Sequence, residues 1–101
     1  MSSDIYIGKF SVNIGNTSYK VFDDVLVFTK ELDNGCLEDS YGLGCLDGLA
    51  GWQAIEVLKE GFNQLKQYGR KPLKNEPEAV LHMGQMVCAC VYEPYTTIRV
   101  Y

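Results

Sequence analysis

Apolar and polar residues alternate through the first part of the chain as they do in half-buried strands. Residues 10–14 and 17–21 both follow this pattern, and they flank Gly15-Asn16, a pair suited to a two-residue hairpin turn. Folding there puts aromatic and aliphatic side chains on one face and Lys, Ser and Asn on the other. The pattern predicts a first antiparallel hairpin.

A second hairpin is predicted at Asn34-Gly35, which is the strongest short turn signal in the chain. A two-residue loop at that point pairs Glu31 with Glu38 across the two strands. Carboxylates that face each other directly destabilise a strand pair, so this register carries a local cost.

One helix is predicted from about residue 49 to residue 68. Asp47 precedes it as a plausible N-cap, and Gly69 follows it as a C-terminal stop. The apolar residues recur at helical spacing: Trp52, Ile55, Leu58, Phe62 and Leu65. Residues 70–77 are polar, contain two prolines, and predict a loop.

A third hairpin is predicted from residues 79–83 and 86–92 around Gly84-Gln85, and residues 96–101 suit a last, edge-like strand. Residues 1–101 then form one α+β domain. Its antiparallel sheet has five to six strands in the order β-β-β-α-β-β, and the helix packs on one face.

Charge and composition narrow the classes of partner. The formal net charge is -4, which disfavours nonspecific binding to nucleic acid or to anionic membranes. No apolar run approaches the roughly 20 residues of a membrane-spanning helix. The N-terminal residues lack the pattern of a secretory signal, so we expect a cytoplasmic protein with reduced cysteines.

The residue types that carry catalysis or bind metals do not converge in the predicted fold. In the third hairpin, the single histidine, His82, lies on the opposite sheet face from Cys88 and Cys90, beyond hydrogen-bond reach. Cys36 and Cys45 are nine residues apart, roughly 30 Å at strand rise, too far to share a metal ion. We therefore predict no catalytic residues, no metal site and no cofactor.

The tip of the second hairpin is a candidate partner-binding site. Glu31, Asp33 and Glu38 concentrate like charge there, and a cost in stability without a structural return is typical of functional sites. The hypothesis is that this tip docks a basic surface of a protein partner. A second interpretation stays open, in which the charges keep an exposed edge from aggregating.

The third hairpin is a candidate dimer interface because both of its faces are apolar. A single helix covers only one face of a sheet, so a second copy would cover the other. One face carries five residues that form the predicted interface: Leu81, Met83, Met86, Cys88 and Tyr92.

Residues 41–58 resemble a pattern in small uncharacterised bacterial domains, in which a strand meander leads through a Gly-Asp step into a helix that opens with Gln-Ala. Asp47, Gln53, Ala54 and Leu58 match that pattern, and the resemblance covers about residues 4–70. It implies a β-meander followed by one helix, and brings no activity or catalytic residues. Similar small acidic domains often serve as immunity proteins that neutralise a toxin, an analogy at the level of class.

Together these features predict a non-catalytic protein-binding module, in the form of an immunity protein that occludes a basic site on a toxin. The alternative is a small homodimeric structural or regulatory module. In either case neither nucleic acid nor membrane is the expected partner.

Overall fold

The structure is a computed structural model that describes residues 3–67 and 76–101. Within these residues the protein is α+β, as the sequence predicts. Its elements in chain order are β1 (Ser3–Ile7), β2 (Phe10–Ile14), α1 (Asn16–Val25), β3 (Val27–Glu31), β4 (Leu37–Tyr41), a short 3-10 helix (Leu43–Leu46), α2 (Gly51–Gln67), α3 (Glu76–Tyr92) and β5 (Arg99–Val100).

The strands form two antiparallel sheets instead of the single five- to six-stranded sheet that the sequence predicts. One sheet has the order β2-β1-β5, and the other is the β3–β4 pair alone. The predicted strand at residues 10–14 is confirmed as β2, but it pairs with β1 across the turn at Gly8-Lys9. Gly8 has a φ of +61°, which a type II′ turn requires at its first central position.

The segment predicted as the second strand of the first hairpin is a helix, α1. Four of its side chains are buried at the i, i+3, i+4, i+7 spacing of a helix face: Ser18, Val21, Phe22 and Val25. The strand prediction is wrong because the alternation around Tyr19 and Val21 covers too few residues to outweigh that longer helical pattern.

The segment predicted as the third hairpin is also a helix, α3, so Gly84-Gln85 is not a turn. The buried side chains again follow helical spacing: Ala79, Met83, Met86 and Cys90. This helix packs against α1 and α2 on its sides and against β1 and β2. The core therefore lies among three helices and one face of the three-stranded sheet, in place of one helix on a broad sheet.

The predicted central helix is confirmed as α2, although its start and its buried face differ from the prediction. Asp47 is not its N-cap, because its Oδ1 accepts the backbone N–H of Val100. Instead, Gln53 Oε1 accepts the N–H of Ala50 at 2.9 Å, as the third helical residue does in a capping box. The predicted end at residues 68–69 and most of the predicted loop at residues 70–77 lie outside the described residues. The last two residues of that loop, Glu76 and Pro77, instead begin α3.

The buried face of α2 consists of Ala54, Val57, Leu58 and Gly61. A β-carbon at Gly61 would lie within 3 Å of side-chain atoms of Leu26 and Met83, so this glycine lets α2 approach α3 closely. Trp52, which the sequence predicts on the buried face, is instead 55% exposed. It lies on the side of α2 that faces β3.

Candidate functional site

The second hairpin projects from the body of the protein, and we name residues 27–41 the acidic hairpin. All five positions of β4 are exposed, and Leu37 is 71% exposed despite being aliphatic. A two-stranded hairpin is marginally stable in water unless another surface packs on it. Here only the base of β3, at Val27 and Phe28, is partly buried.

The register of this hairpin is shifted by one residue from the prediction. Lys30 lies opposite Glu38, and Glu31 lies opposite Leu37, so the predicted opposition of Glu31 and Glu38 is wrong. The cause is a three-residue loop in which Gly35 has a φ of +82° and follows a hydrogen-bonded turn. The like-charge cost that motivated the tip hypothesis is therefore absent from the folded hairpin.

The three predicted partner-binding residues still lie together at the tip, but they do not share a face. Glu31, Asp33 and Glu38 are all exposed. Alternating residues of a strand point to opposite faces, and Glu31 is opposite Leu37 while Glu38 is opposite Lys30, so Glu31 and Glu38 point away from each other. Asp33 lies in the loop between them.

The structure adds a fourth carboxylate that is not among the predicted partner-binding residues. Asp39 lies on the face of Glu31 and accepts a hydrogen bond from the Thr29 hydroxyl at 2.6 Å and another from the Tyr41 hydroxyl at 3.4 Å. These two donors hold the carboxylate in place on the exposed surface. This pair could have been predicted only from the correct register, in which Thr29 and Asp39 lie directly opposite each other.

Both edges of the acidic hairpin carry backbone groups that do not pair with any other strand among the described residues. The N–H of Leu32 donates to Cys36, and the N–H of Gly42 donates to Leu26. Because hydrogen-bonded pairs alternate along an antiparallel ladder, the backbone groups of Val27, Thr29 and Glu31 must point away from β4. These groups form an open strand edge.

A groove of about 320 Å³, open to solvent, lies between this strand edge and α2. It is lined by Val27, Phe28 and Thr29 from β3 and by Trp52, Gln53, Glu56, Val57 and Glu60 from α2. The lining therefore combines apolar and aromatic side chains with two carboxylates from α2. The Glu56–Lys59 ion pair, 3.9 Å long and largely exposed, only weakly offsets that charge.

The five residues of the predicted dimer interface do not share a strand face, because their segment is helical. Met83 and Met86 are buried in the core, whereas Leu81, Cys88 and Tyr92 are exposed on the outer side of α3. The predicted set is thus divided between the core and the surface.

His82 contacts a serine that sequence reasoning did not consider. Its Nδ1 lies 2.9 Å from Ser18 Oγ, at hydrogen-bond distance. A serine paired with a histidine is the arrangement of a nucleophile and its base. Ser18 is, however, fully buried, so a substrate cannot reach its hydroxyl in this structure. The contact links α1 to α3.

The cysteines divide into two exposed and two buried thiols. Cys36 and Cys88 are exposed, while Cys45 and Cys90 are buried. Burial in apolar surroundings raises the pKa of Cys45 and of Cys90 from 9.0 to about 11. Both buried thiols are therefore protonated at neutral pH and act as small apolar side chains.

The raised pKa values predict a loss of stability in alkali. Since the folded state holds the two protons more tightly than the unfolded chain, the free energy of unfolding should fall as the pH rises from about 9 to about 11. Urea unfolding measured between about pH 8 and about pH 10.5 checks this. The Cys45→Ala/Cys90→Ala variant should lose less stability over that interval, and Cys36→Ala/Cys88→Ala should match the wild type. Equal slopes in the two variants would contradict the assignment.

In the part of the chain that the structure describes, no group of three or more His, Cys, Asp and Glu side chains is placed to hold a metal ion. Each helix in residues 3–67 and 76–101 is too short or too polar to cross a bilayer. Comparisons with protein-family models, with curated proteins and with solved structures gave no match for this chain.

Proposed function

We propose that this protein is a non-catalytic binding module that holds a basic segment of another protein against the acidic hairpin. The observation that carries the proposal is the open edge of β3, which borders the groove beside α2. A partner segment added there as a strand would receive backbone hydrogen bonds from Val27, Thr29 and Glu31. It would also cover apolar surface that the protein leaves exposed.

Charge supports a basic occupant. Within the acidic hairpin, four carboxylates accompany a single basic residue, Lys30. Glu56 and Glu60 add negative charge on the opposite side of the groove. Lys and Arg side chains of an added strand would meet carboxylates on both sides, and a cation can also stack on the exposed indole of Trp52.

The class-level analogy with small acidic immunity proteins gives one particular form of this function. In that form the partner is a toxin, and the acidic hairpin neutralises it by covering its basic site. Such a role requires stoichiometric binding and no chemistry.

A labelled peptide of alternating Arg and Val residues tests the proposal by fluorescence anisotropy with the full chain. Neutralising the tip through Glu31→Gln, Asp33→Asn and Glu38→Gln should weaken binding at least about tenfold. The matched control, Glu31→Asp, Asp33→Glu and Glu38→Asp, keeps the charge and should retain most of the affinity. Added salt should weaken wild-type binding far more than it weakens binding by the neutralised variant.

A second peptide separates strand addition from charge attraction alone. It has the same sequence but carries N-methyl groups on alternate amides, so it keeps its charge and loses the donors that a strand needs. Binding should fall strongly. The proposal is overturned if the neutralised variant binds the first peptide as tightly as the wild type, or if the N-methylated peptide binds equally well.

A further inference from the structure

Helix α3 has an unusual composition for a helix at the surface. From Ala79 to Tyr92 it contains no Asp, Glu, Lys or Arg. A helix with so few polar side chains, here only His82 and Gln85, is normally covered on most of its sides. Yet Leu81 is 60% exposed and Val91 is 61% exposed, and Cys88 and Tyr92 are exposed beside them.

The exposed side of α3 follows the spacing of a helix–helix contact. Leu81, Gly84, Cys88 and Val91 are separated by three, four and three residues, which is the a/d pattern of a coiled-coil seam. We name these four residues the seam. The core residues Met83, Met86 and Cys90 lie on the opposite side of the same helix.

Nothing in residues 3–67 and 76–101 of one copy explains why position 84 is a glycine. A glycine inside a helix costs up to about 1 kcal/mol relative to alanine. A β-carbon at this position would meet nothing within 4 Å, in contrast to Gly61, where neighbouring side chains leave no room. A close contact with another helix would explain the glycine, since interaxial distance depends on the side chains at the crossing point.

The order of the seam identifies the other helix. Along the chain its side chains run large, small, small, large, so the order is the same in both directions. Two antiparallel copies would place Leu81 against Val91 at both ends and Gly84 against Cys88 in the middle. A twofold dimer requires a self-complementary surface of this kind. The seam carries no charged side chain, so it cannot form ion pairs with a charged partner.

We propose that α3 forms a homodimer in solution by antiparallel packing of the seam about a twofold axis. Two copies that meet only along this seam would bury less than the roughly 1,000 Å² expected of a stable, specific interface. The dimer is therefore weak, with a dissociation constant in the micromolar range. This inference is independent of the proposed function, which uses the acidic hairpin.

Sedimentation equilibrium of the full chain from about 1 μM to about 1 mM tests the dimer. The wild-type mass should rise from that of one chain to that of two. Leu81→Glu should remain monomeric throughout, whereas Leu37→Glu, the same change at a more exposed position of the acidic hairpin, should associate like the wild type. Circular dichroism establishes that both variants are folded.

Gly84→Ala tests the proposed dimer without disrupting the packing of the monomer. The added methyl group has open space in the monomer and should raise its melting temperature. In the dimer it separates the helices, so the dissociation constant should rise about tenfold or more. A wild type that stays monomeric at the highest concentration overturns the proposal, as does a Gly84→Ala dissociation constant equal to that of the wild type.

Discussion

Phe22→Ala is expected to lower the free energy of unfolding by about 3–5 kcal/mol. The Phe22 ring is fully buried in α1, where it contributes to the core that α1 shares with α2 and α3. Removing it loses the transfer free energy of the ring and leaves a cavity that the surrounding helices fill only partly. A domain of this size has about 5–15 kcal/mol in total, so much of its stability depends on this side chain.

Chemical denaturation followed by circular dichroism measures the effect, with Tyr95→Ala as the control. Tyr95 is 88% exposed, so losing its ring should change stability by less than about 0.5 kcal/mol. The experiment also distinguishes the observed helix from the predicted strand. The predicted strand ends at Val21 and leaves Phe22 outside its apolar face, so removal of the ring would cost little.

Gly51→Ala is expected to lower the free energy of unfolding by about 1–3 kcal/mol. Gly51 begins α2 and donates its N–H to the carbonyl of Thr96, while Trp52 donates to that of Pro94. A β-carbon at Gly51 would collide with the carbonyl oxygen of Glu93 and lie 3.1 Å from Pro94 Cα. Because these are backbone atoms, the segment that follows α3 would have to move.

Gly84→Ala, measured at concentrations where the chain is monomeric, is the matched control. It makes the same chemical change inside a helix, but in open space, and should raise stability by up to about 1 kcal/mol. Opposite signs for the two variants are expected in thermal or urea unfolding. If Gly51→Ala were neutral or stabilising, the close approach between α2 and the Glu93–Pro94 segment would be wrong.

The elements that sequence reasoning predicted correctly are those determined by local signals. Asn34-Gly35 produces a turn without help from the rest of the chain, so the β3–β4 hairpin is confirmed. The helical spacing of α2 extends over four turns, long enough to be unambiguous. Even here the register of the hairpin was shifted by one residue, because a turn dipeptide does not specify whether two or three residues form the loop.

The two segments assigned incorrectly are those where local signals compete. Around Tyr19, alternation over five residues masked a helical pattern that continues to Val25. In α3, apolar residues occupy nearly every position, so no period is distinct, and Gly84-Gln85 resembles a turn. Its length, 17 residues without an internal break in the structure, is the feature that separates a helix from two strands.

The candidate site likewise has one part that local signals predict and one part that depends on contacts between distant elements. The sequence places Glu31, Asp33 and Glu38 together at the tip because they are neighbours along the chain or across a tight turn, but it wrongly pairs Glu31 with Glu38. The groove was not found, since it depends on Trp52 and Glu56 of α2 lying beside β3, which no local pattern indicates.

By itself, the sequence determined the α+β class, the β3–β4 hairpin, the central helix and the concentration of acidic charge at the hairpin tip. These follow from turn chemistry, periodicity and charge, which act between residues close in the chain. Only the tertiary structure decided that residues 16–25 and 76–92 are helices and that the strands form two sheets. It also decided that β3 keeps an open edge beside α2. The physical reason is that burial against distant elements selects among local conformations of similar free energy.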